Sequence, residues 1–155
     1  MSAVVTIEVF VEGCEPKKAH PSDACWDLFA AEECIIPPGG RAAICNGFRM
    51  AIPLGYEAQI RPRSGNALKK GITVLNTPGT IDANYRGNIG TILFNSSMQT
   101  ITIQKGDKIA QMAICKLPEV ELEFGKVDTN TDRGTSGFGS TGVVSGAVED
   151  SNSGV

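Results

Sequence analysis

Glycine and proline interrupt this chain at short intervals, and the segments between them are short and rich in Val, Ile and Thr. Such segments are too brief for the amphipathic helices of βαβ units, but they suit short strands. Residues 5–11 show the pattern most clearly. Val5, Ile7, Val9 and Val11 fall on one side and Thr6, Glu8 and Phe10 on the other, as in a half-buried strand. Runs at 34–36, 41–45, 48–52, 55–61, 72–75, 88–95, 99–103, 108–115 and 120–124 predict further strands. Many short strands divided by turn residues indicate an all-β sandwich or closed barrel. One stretch differs. SGNALKKG, Ser64–Gly71, joins the helix formers Ala67, Leu68, Lys69 and Lys70 to a Ser that can cap a helix and a Gly that can end it. It predicts a single short helix.

A chain of 155 residues has the size of one domain. A net charge of −3 with no basic block argues against a general nucleic-acid binder. No apolar run approaches the ~18 residues that cross a bilayer. The start, MSAVVTIEVF, has neither the basic residues nor the small-residue cleavage site of a secretory signal. The expected setting is intracellular, with no membrane partner and no stable nucleic-acid binding. Cys14, Cys25, Cys34, Cys45 and Cys115 are odd in number and form no CxxC pair. They read as reduced, partly buried thiols rather than a disulfide framework or a cysteine zinc site. His20, the single histidine, lies beside Pro21 in a polar stretch that reads as an exposed loop. Any chemistry therefore rests on carboxylates, backbone amides or a magnesium-like ion.

Several stretches carry such groups. In ACWDLFAAE, Asp27 lies between Trp26 and Leu28. A carboxylate in so apolar a setting needs a partner, whether an Arg, backbone amides or a hydrated metal ion. RPRSG places Arg63 and Ser64 at the start of the predicted helix, where amides and a guanidinium attract anions. Its ordinary role is a surface Arg near a cap. NTPGTIDANYRG reads as a β-hairpin with Asp82 near its tip. Such an Asp commonly caps a turn, but it can also take a proton from water if a phosphorus lies in line. In KGDKIAQMAI, Gln111 interrupts apolar residues, which by itself fits a solvent-facing strand position. From about residue 128 the chain turns to Gly, Ser, Thr and Asp. There RGTSGFGSTG matches G-x-G-x-x-G over residues 137–142. No strand precedes it and no helix follows, so the Rossmann reading fails, and no Walker loop is present.

Taken in order, WDLFAA, PRSG, NTPGTIDANYRGNI, GDKIAQM and RGTSGFGSTG resemble the five motifs of the trimeric dUTPases, from about Ala24 to Gly142. That resemblance implies a jelly-roll-like β-barrel over residues 1–127 and a phosphate-binding C-terminal arm over 128–142. Residues 143–155 are expected to be a disordered tail. It further implies a homotrimer with the arm swapped to a neighbour. Each site would take its first, second and fourth motifs from one subunit, the hairpin from another and the arm from the third. The implied reaction converts dUTP to dUMP and pyrophosphate, keeping uracil out of DNA and supplying dUMP for dTMP synthesis.

By the same resemblance, Asp82 would be the general base on a water that attacks the α-phosphorus. Mg2+ would bridge the phosphates, with Asp27 holding it through water. Arg63, Ser64, Gly65 and Gln111 would contact phosphates. Asn76 and the backbone around Gly79 and Ile81 would hydrogen-bond uracil, and Tyr85 would pack under the deoxyribose. In the arm, Arg133, Ser140 and Thr141 would meet the outer phosphates while Phe138 stacks on uracil, and Gly139 would also be a substrate-binding residue. The arm is expected to order when ligand binds.

The chain departs from the family pattern at Cys25-Trp26, where Gly-Tyr is usual, at Ser136-Gly137, where glycines are paired, and at Asn66, where an apolar residue is common. None of these removes a charged or nucleotide-contacting side chain. Two other readings compete. A dCTP deaminase, which shares the fold, calls for an acid/base Glu over the base, and the hairpin carries none. A non-catalytic jelly-roll module accounts for the strands but not for Asp82, Tyr85 and the arm together.

Overall fold

Eleven short strands and one helix, all ahead of Leu117, make up the regular structure in a computed structural model that describes residues 2–146. The strands are β1 (Thr6–Val9), β2 (Trp26–Phe29), β3 (Cys34–Ile36), β4 (Arg41–Cys45), β5 (Phe48–Ala51), β6 (Tyr56–Arg61), β7 (Ile72–Val74), β8 (Gly79–Ile81), β9 (Gly90–Asn95), β10 (Ile101–Ile103) and β11 (Lys108–Lys116). The helix α1 covers Ser64–Lys70. The expected all-β architecture with one short helix is the one observed. The ladders form four sheets rather than one continuous ring of pairing: β2-β11-β6-β8, β4-β9-β7, β1-β5 and β10-β3, every pair antiparallel.

Alternation along the strands builds the core. β6 buries Ala58 and Ile60, β5 buries Phe48 and Met50, and β9 buries Leu93. With Leu28, Ile36, Ile44, Val74 and Met112 these form one cluster drawn from all four sheets. Each fully buried Leu, Ile or Phe contributes about 1.5–3 kcal/mol by leaving water. β9 also turns Thr91 and Asn95 inward, and both find partners there. Thr91 Oγ1 donates to Asn46 Oδ1 at 2.8 Å, and Asn46 Nδ2 donates to the Phe29 carbonyl at 3.0 Å. Asn95 Nδ2 donates to the carbonyls of Ile36 at 3.0 Å and Gln99 at 2.7 Å. Its Oδ1 accepts from Ser97 N at 2.9 Å and from Ser97 Oγ at 2.7 Å. Asn95 thus joins β3, β9 and the loop to β10. Cys14 is fully buried, and that burial pushes its thiol up from the ordinary value. All five cysteines are free thiols, and His20 is exposed.

Three local expectations are corrected. The residue at the N-cap of α1 is Arg63, in extended conformation, and no side chain caps the helix; Ser64 is already its first residue. The end of the helix is as expected, with Gly71 in the left-handed region at φ 66°. The stretch 76–87 is not a laddered hairpin. Its turn exists, closed by Tyr85 N–H donating to the Asp82 carbonyl at 3.1 Å, but β8 pairs with β6 whereas β9 pairs with β4 and β7. The strand expected over 120–124 does not form. Val120, Leu122 and Phe124 alternate as strand residues do, yet all are exposed, and an extended segment without a neighbour leaves its amides and carbonyls unpaired.

The chain divides into two compact units, Met1–Glu119 and Val120–Val155. Among the described residues of the second, the backbone runs through turns. Ser136 N–H donates to the Arg133 carbonyl at 3.1 Å, Ser140 N–H to Gly137 at 3.1 Å, and Gly142 N–H to Gly139 at 2.9 Å. Of the tail expected over 143–155, residues 147–155 lie outside the described residues. Among the described residues, no helix is long and apolar enough to cross a membrane.

Candidate active site

The first, second and fourth motifs converge on one polar cleft of about 350 Å3. Asp27, Arg63, Ser64, Gly65 and Gln111 all line it. The topology explains the convergence. Asp27 in β2 and Gln111 in β11 are direct cross-strand partners, and so are Gln111 and Arg61 in β6, so three strands place these residues side by side. Pro62 follows the end of β6, and Arg63, extended at the helix N-cap, reaches Asp27 of β2 with its side chain.

Asp27 is the electrostatic centre of the cleft. Its side chain is only 13% exposed and lies between two cations. Arg63 Nε donates to Oδ1 at 3.0 Å, and Lys108 Nζ approaches Oδ2 at 2.9 Å. The partner expected from its apolar setting is thus an Arg, and a Lys joins it. Gln111 faces the cleft rather than open solvent, with Nε2 donating to the Pro62 carbonyl at 2.8 Å. Ser64 and Gly65 open α1, where amides have no partner within the helix.

The third motif lies elsewhere on the same sheet. Asn76, Gly79 and Ile81 line a small cleft of about 50 Å3 that opens where β8 and β9 diverge into different sheets. The Asn76 side chain packs on Gly79, and a β-carbon there would lie 3.3 Å from Asn76 Nδ2. Asp82 follows β8, exposed, and among the described residues its carboxylate has no hydrogen-bond partner. Tyr85 is 45% exposed and donates its hydroxyl to the Asn88 carbonyl at 3.1 Å.

Register separates the two groups. β8 and β6 pair as Gly79↔Ile60 and Ile81↔Ala58, so Asp82 comes opposite Glu57. From there to Arg61 are four strand steps of about 3.4 Å, or ~14 Å, and Pro62 and Arg63 lie beyond.

In the second unit, Arg133 Nε donates to the Ser136 carbonyl at 3.0 Å. Phe138 is fully exposed and holds φ at 48°, unusual for an aromatic residue, and Gly139 follows at φ 88°. Ser140 and Thr141 are exposed beside them.

The dUTPase family model matches residues 12–142 of this chain. The chain belongs to the dUTPase family. A deoxyuridine 5'-triphosphate nucleotidohydrolase of Clostridium tetani is 54% identical over 127 residues, covering 82% of this chain and 88% of the relative. One from Ehrlichia canis is 50% identical over 134 residues, covering 83% and 86%. Among solved structures, the dUTPase of Staphylococcus bacteriophage 80alpha with dUpNHpp aligns at TM-score 0.82 and 26% identity, covering 92% of this chain and 100% of that one. A mutant dUTPase from phage phi11 of S. aureus, in which a structural Mg(II) ion is coordinated, aligns at 0.74 and 26%, covering 81% and 98%.

Within the cleft of this dUTPase-family chain, the sequence reading overlooked Lys108. It stands in GDKIAQM, one residue past Asp107, as the first residue of the strand predicted over 108–115. A lysine at the head of a strand that carries site residues was the one available signal.

Proposed function

We propose that this protein hydrolyses dUTP to dUMP and pyrophosphate in sites shared between subunits of a homotrimer. The observation that carries the reading is the polar cleft in which Asp27, Arg63, Ser64, Gly65 and Gln111 meet. A guanidinium, a hydroxyl, free helix-start amides and an amide side chain are the groups that a triphosphate needs. Family membership and relatives named for dUTP hydrolysis supply the base and the sugar of that triphosphate.

Asp82 is the general base. It takes a proton from water as the water oxygen bonds to the α-phosphorus and the bond from that phosphorus to the bridging oxygen breaks, releasing pyrophosphate. An exposed carboxylate with no hydrogen-bond partner among the described residues is free for that task. Asn76 and the backbone at Gly79 and Ile81 hold uracil in the cleft between β8 and β9. A methyl at the uracil 5-position overpacks such a cleft at a cost of about 1–3 kcal/mol. Tyr85 packs under the deoxyribose.

The separation along β6 supports a shared site. A base at one end of the strand and a phosphate cleft beyond the other cannot serve one nucleotide within one subunit. In the trimer, the 1–127 domain of one subunit supplies the cleft and that of a second supplies Asp82. Residues 128–142 of a third close over the substrate, with Arg133, Gly139, Ser140 and Thr141 on the outer phosphates and Phe138 on uracil. The swapped arm then orders as ligand binds.

Magnesium fits this donor set in one way only. Among the described residues, no three or more His, Cys, Asp or Glu side chains gather as a metal cage. Two carboxylates line the cleft, Asp27 and Asp23, the latter accepting from His20 N–H at 2.9 Å, and so sparse a set suits an ion that keeps its waters and binds chiefly to phosphate oxygens. When bound, magnesium neutralises phosphate charge, and Asp27 orients its hydration shell.

Incubation with dUTP, dCTP and magnesium tests the reading. dUMP and pyrophosphate form from dUTP, and dCTP is not deaminated. Intact dUTP at high protein concentration overturns it.

A further inference from the structure

Lys108 stands outside the residues assigned above to the reaction. In a regular ladder it would face away from the cleft. Gln111 pairs directly with Asp27, and a residue three positions earlier on the strand has the opposite parity. The register between β11 and β2 shifts between Lys108 and Ala110, and this bulge sets Lys108 opposite Phe29. Phe29 is two residues from Asp27, so Lys108 returns to the face that Asp27 and Gln111 share. Ile109 and Ala110 are consecutive yet both buried, as such a bulge requires. The bulge therefore aims the ammonium at Asp27 Oδ2, 2.9 Å away, while Arg63 holds Oδ1.

We propose that Lys108 is a positioning residue that keeps Asp27 fixed while Arg63 is drawn to the substrate phosphates. The proposal rests on the dUTP reading above. A triphosphate competes with Asp27 for the Arg63 guanidinium, whose planar fork matches phosphate oxygens. With Arg63 as its only partner, Asp27 would lose its counter-charge as a polyanion arrived. Lys108 prevents this. Its single-point ammonium suffices to hold one carboxylate oxygen, leaving Asp27 oriented toward the hydration shell of the metal. The two cations come from separate elements, β11 and the N-cap of α1, so one can move while the other stays.

The test compares Lys108→Met, which keeps the stem and removes the charge, with Lys108→Arg. The wild-type protein is first shown to hydrolyse dUTP; failure at that step overturns the functional reading before any variant is compared. Calorimetry then measures dUpNHpp affinity with and without magnesium, and kinetics give kcat and KM across a magnesium titration. Lys108→Met should need about tenfold more magnesium and bind the magnesium-loaded analogue about tenfold more weakly, the lower end for an outer-shell partner. The magnesium-free affinity should change little, Lys108→Arg should restore function, and melting temperatures should agree within a few degrees. Unchanged magnesium dependence and affinity in Lys108→Met would reduce Lys108 to a surface ion pair. An equal loss of affinity with and without magnesium overturns the proposal too, because it means that Lys108 contacts phosphate itself. If Lys108→Met does not fold, Lys108→Gln carries the same comparison.

Discussion

The phenol of Tyr85 covers the α-carbon of Gly87 so closely that a β-carbon at position 87 would overlap its hydroxyl oxygen. Position 87 is therefore glycine because of packing, and Gly87→Ala must dislodge the ring. If Tyr85 screens the sugar, kcat/KM for dUTP should fall about tenfold and the preference for dUTP over UTP should narrow, a cost typical of misfitting one methyl group. Kinetics with both nucleotides measure it, and undiminished selectivity would take Tyr85 out of sugar discrimination.

Asp82→Asn exchanges one oxygen for nitrogen at an exposed turn, so the fold has no reason to change. The variant should bind dUpNHpp near wild-type affinity and lose about 10²–10⁴-fold in turnover, the usual contribution of a positioned base. Near-normal turnover would show that the proton goes elsewhere.

Removing residues 133–155 deletes none of the strands found among the described residues, which all lie between Thr6 and Lys116. The melting transition should persist while kcat/KM for dUTP falls by orders of magnitude, as expected when a closing arm is lost. A truncated protein with full activity would refute the arm's role.

Asn95→Ala strikes the fold instead. It strips a partner from the Ile36 carbonyl in a buried site and others from the half-buried loop groups at Ser97 and Gln99. Unsatisfied buried groups cost about 1–3 kcal/mol each, so a loss of at least 2 kcal/mol is expected in denaturant unfolding. A loss below 0.5 kcal/mol would mean that water replaces the amide.

Much of this was legible in the residues. Alternation located β1, β5, β6 and β9 because each buries one face only, which is the pattern that alternation encodes. It also marked 120–124, where no partner strand follows; sequence records the readiness to pair, not the presence of an edge. Helix propensity found α1 but misplaced its cap, since Ser64 and Arg63 differ by one position at a boundary that propensity does not resolve. A hairpin with Asp82 near its tip was the reading of NTPGTIDANYRG, and the turn at Asp82–Tyr85 agrees with it, while the choice of β6 over β9 as partner for β8 is a long-range decision. Lys108 escaped notice because a bulge reverses its parity, and nothing in KGDKIAQMAI announces a bulge.

The length of β6 also shapes how mutations combine. If the site is shared between subunits as proposed, one strand parts two half-sites, so a subunit can fail in two independent ways, and the failures need not coincide in one site. Asp82→Asn and Arg63→Ala should each be inactive alone. When the two are unfolded together in equal amounts and reassembled as random three-fold rings, every mixed ring contains one cleft from the first variant facing one base from the second. Three rings in four are mixed and each regains one site of three, so about a quarter of wild-type activity should return, a complementation that closed cyclic symmetry alone dictates.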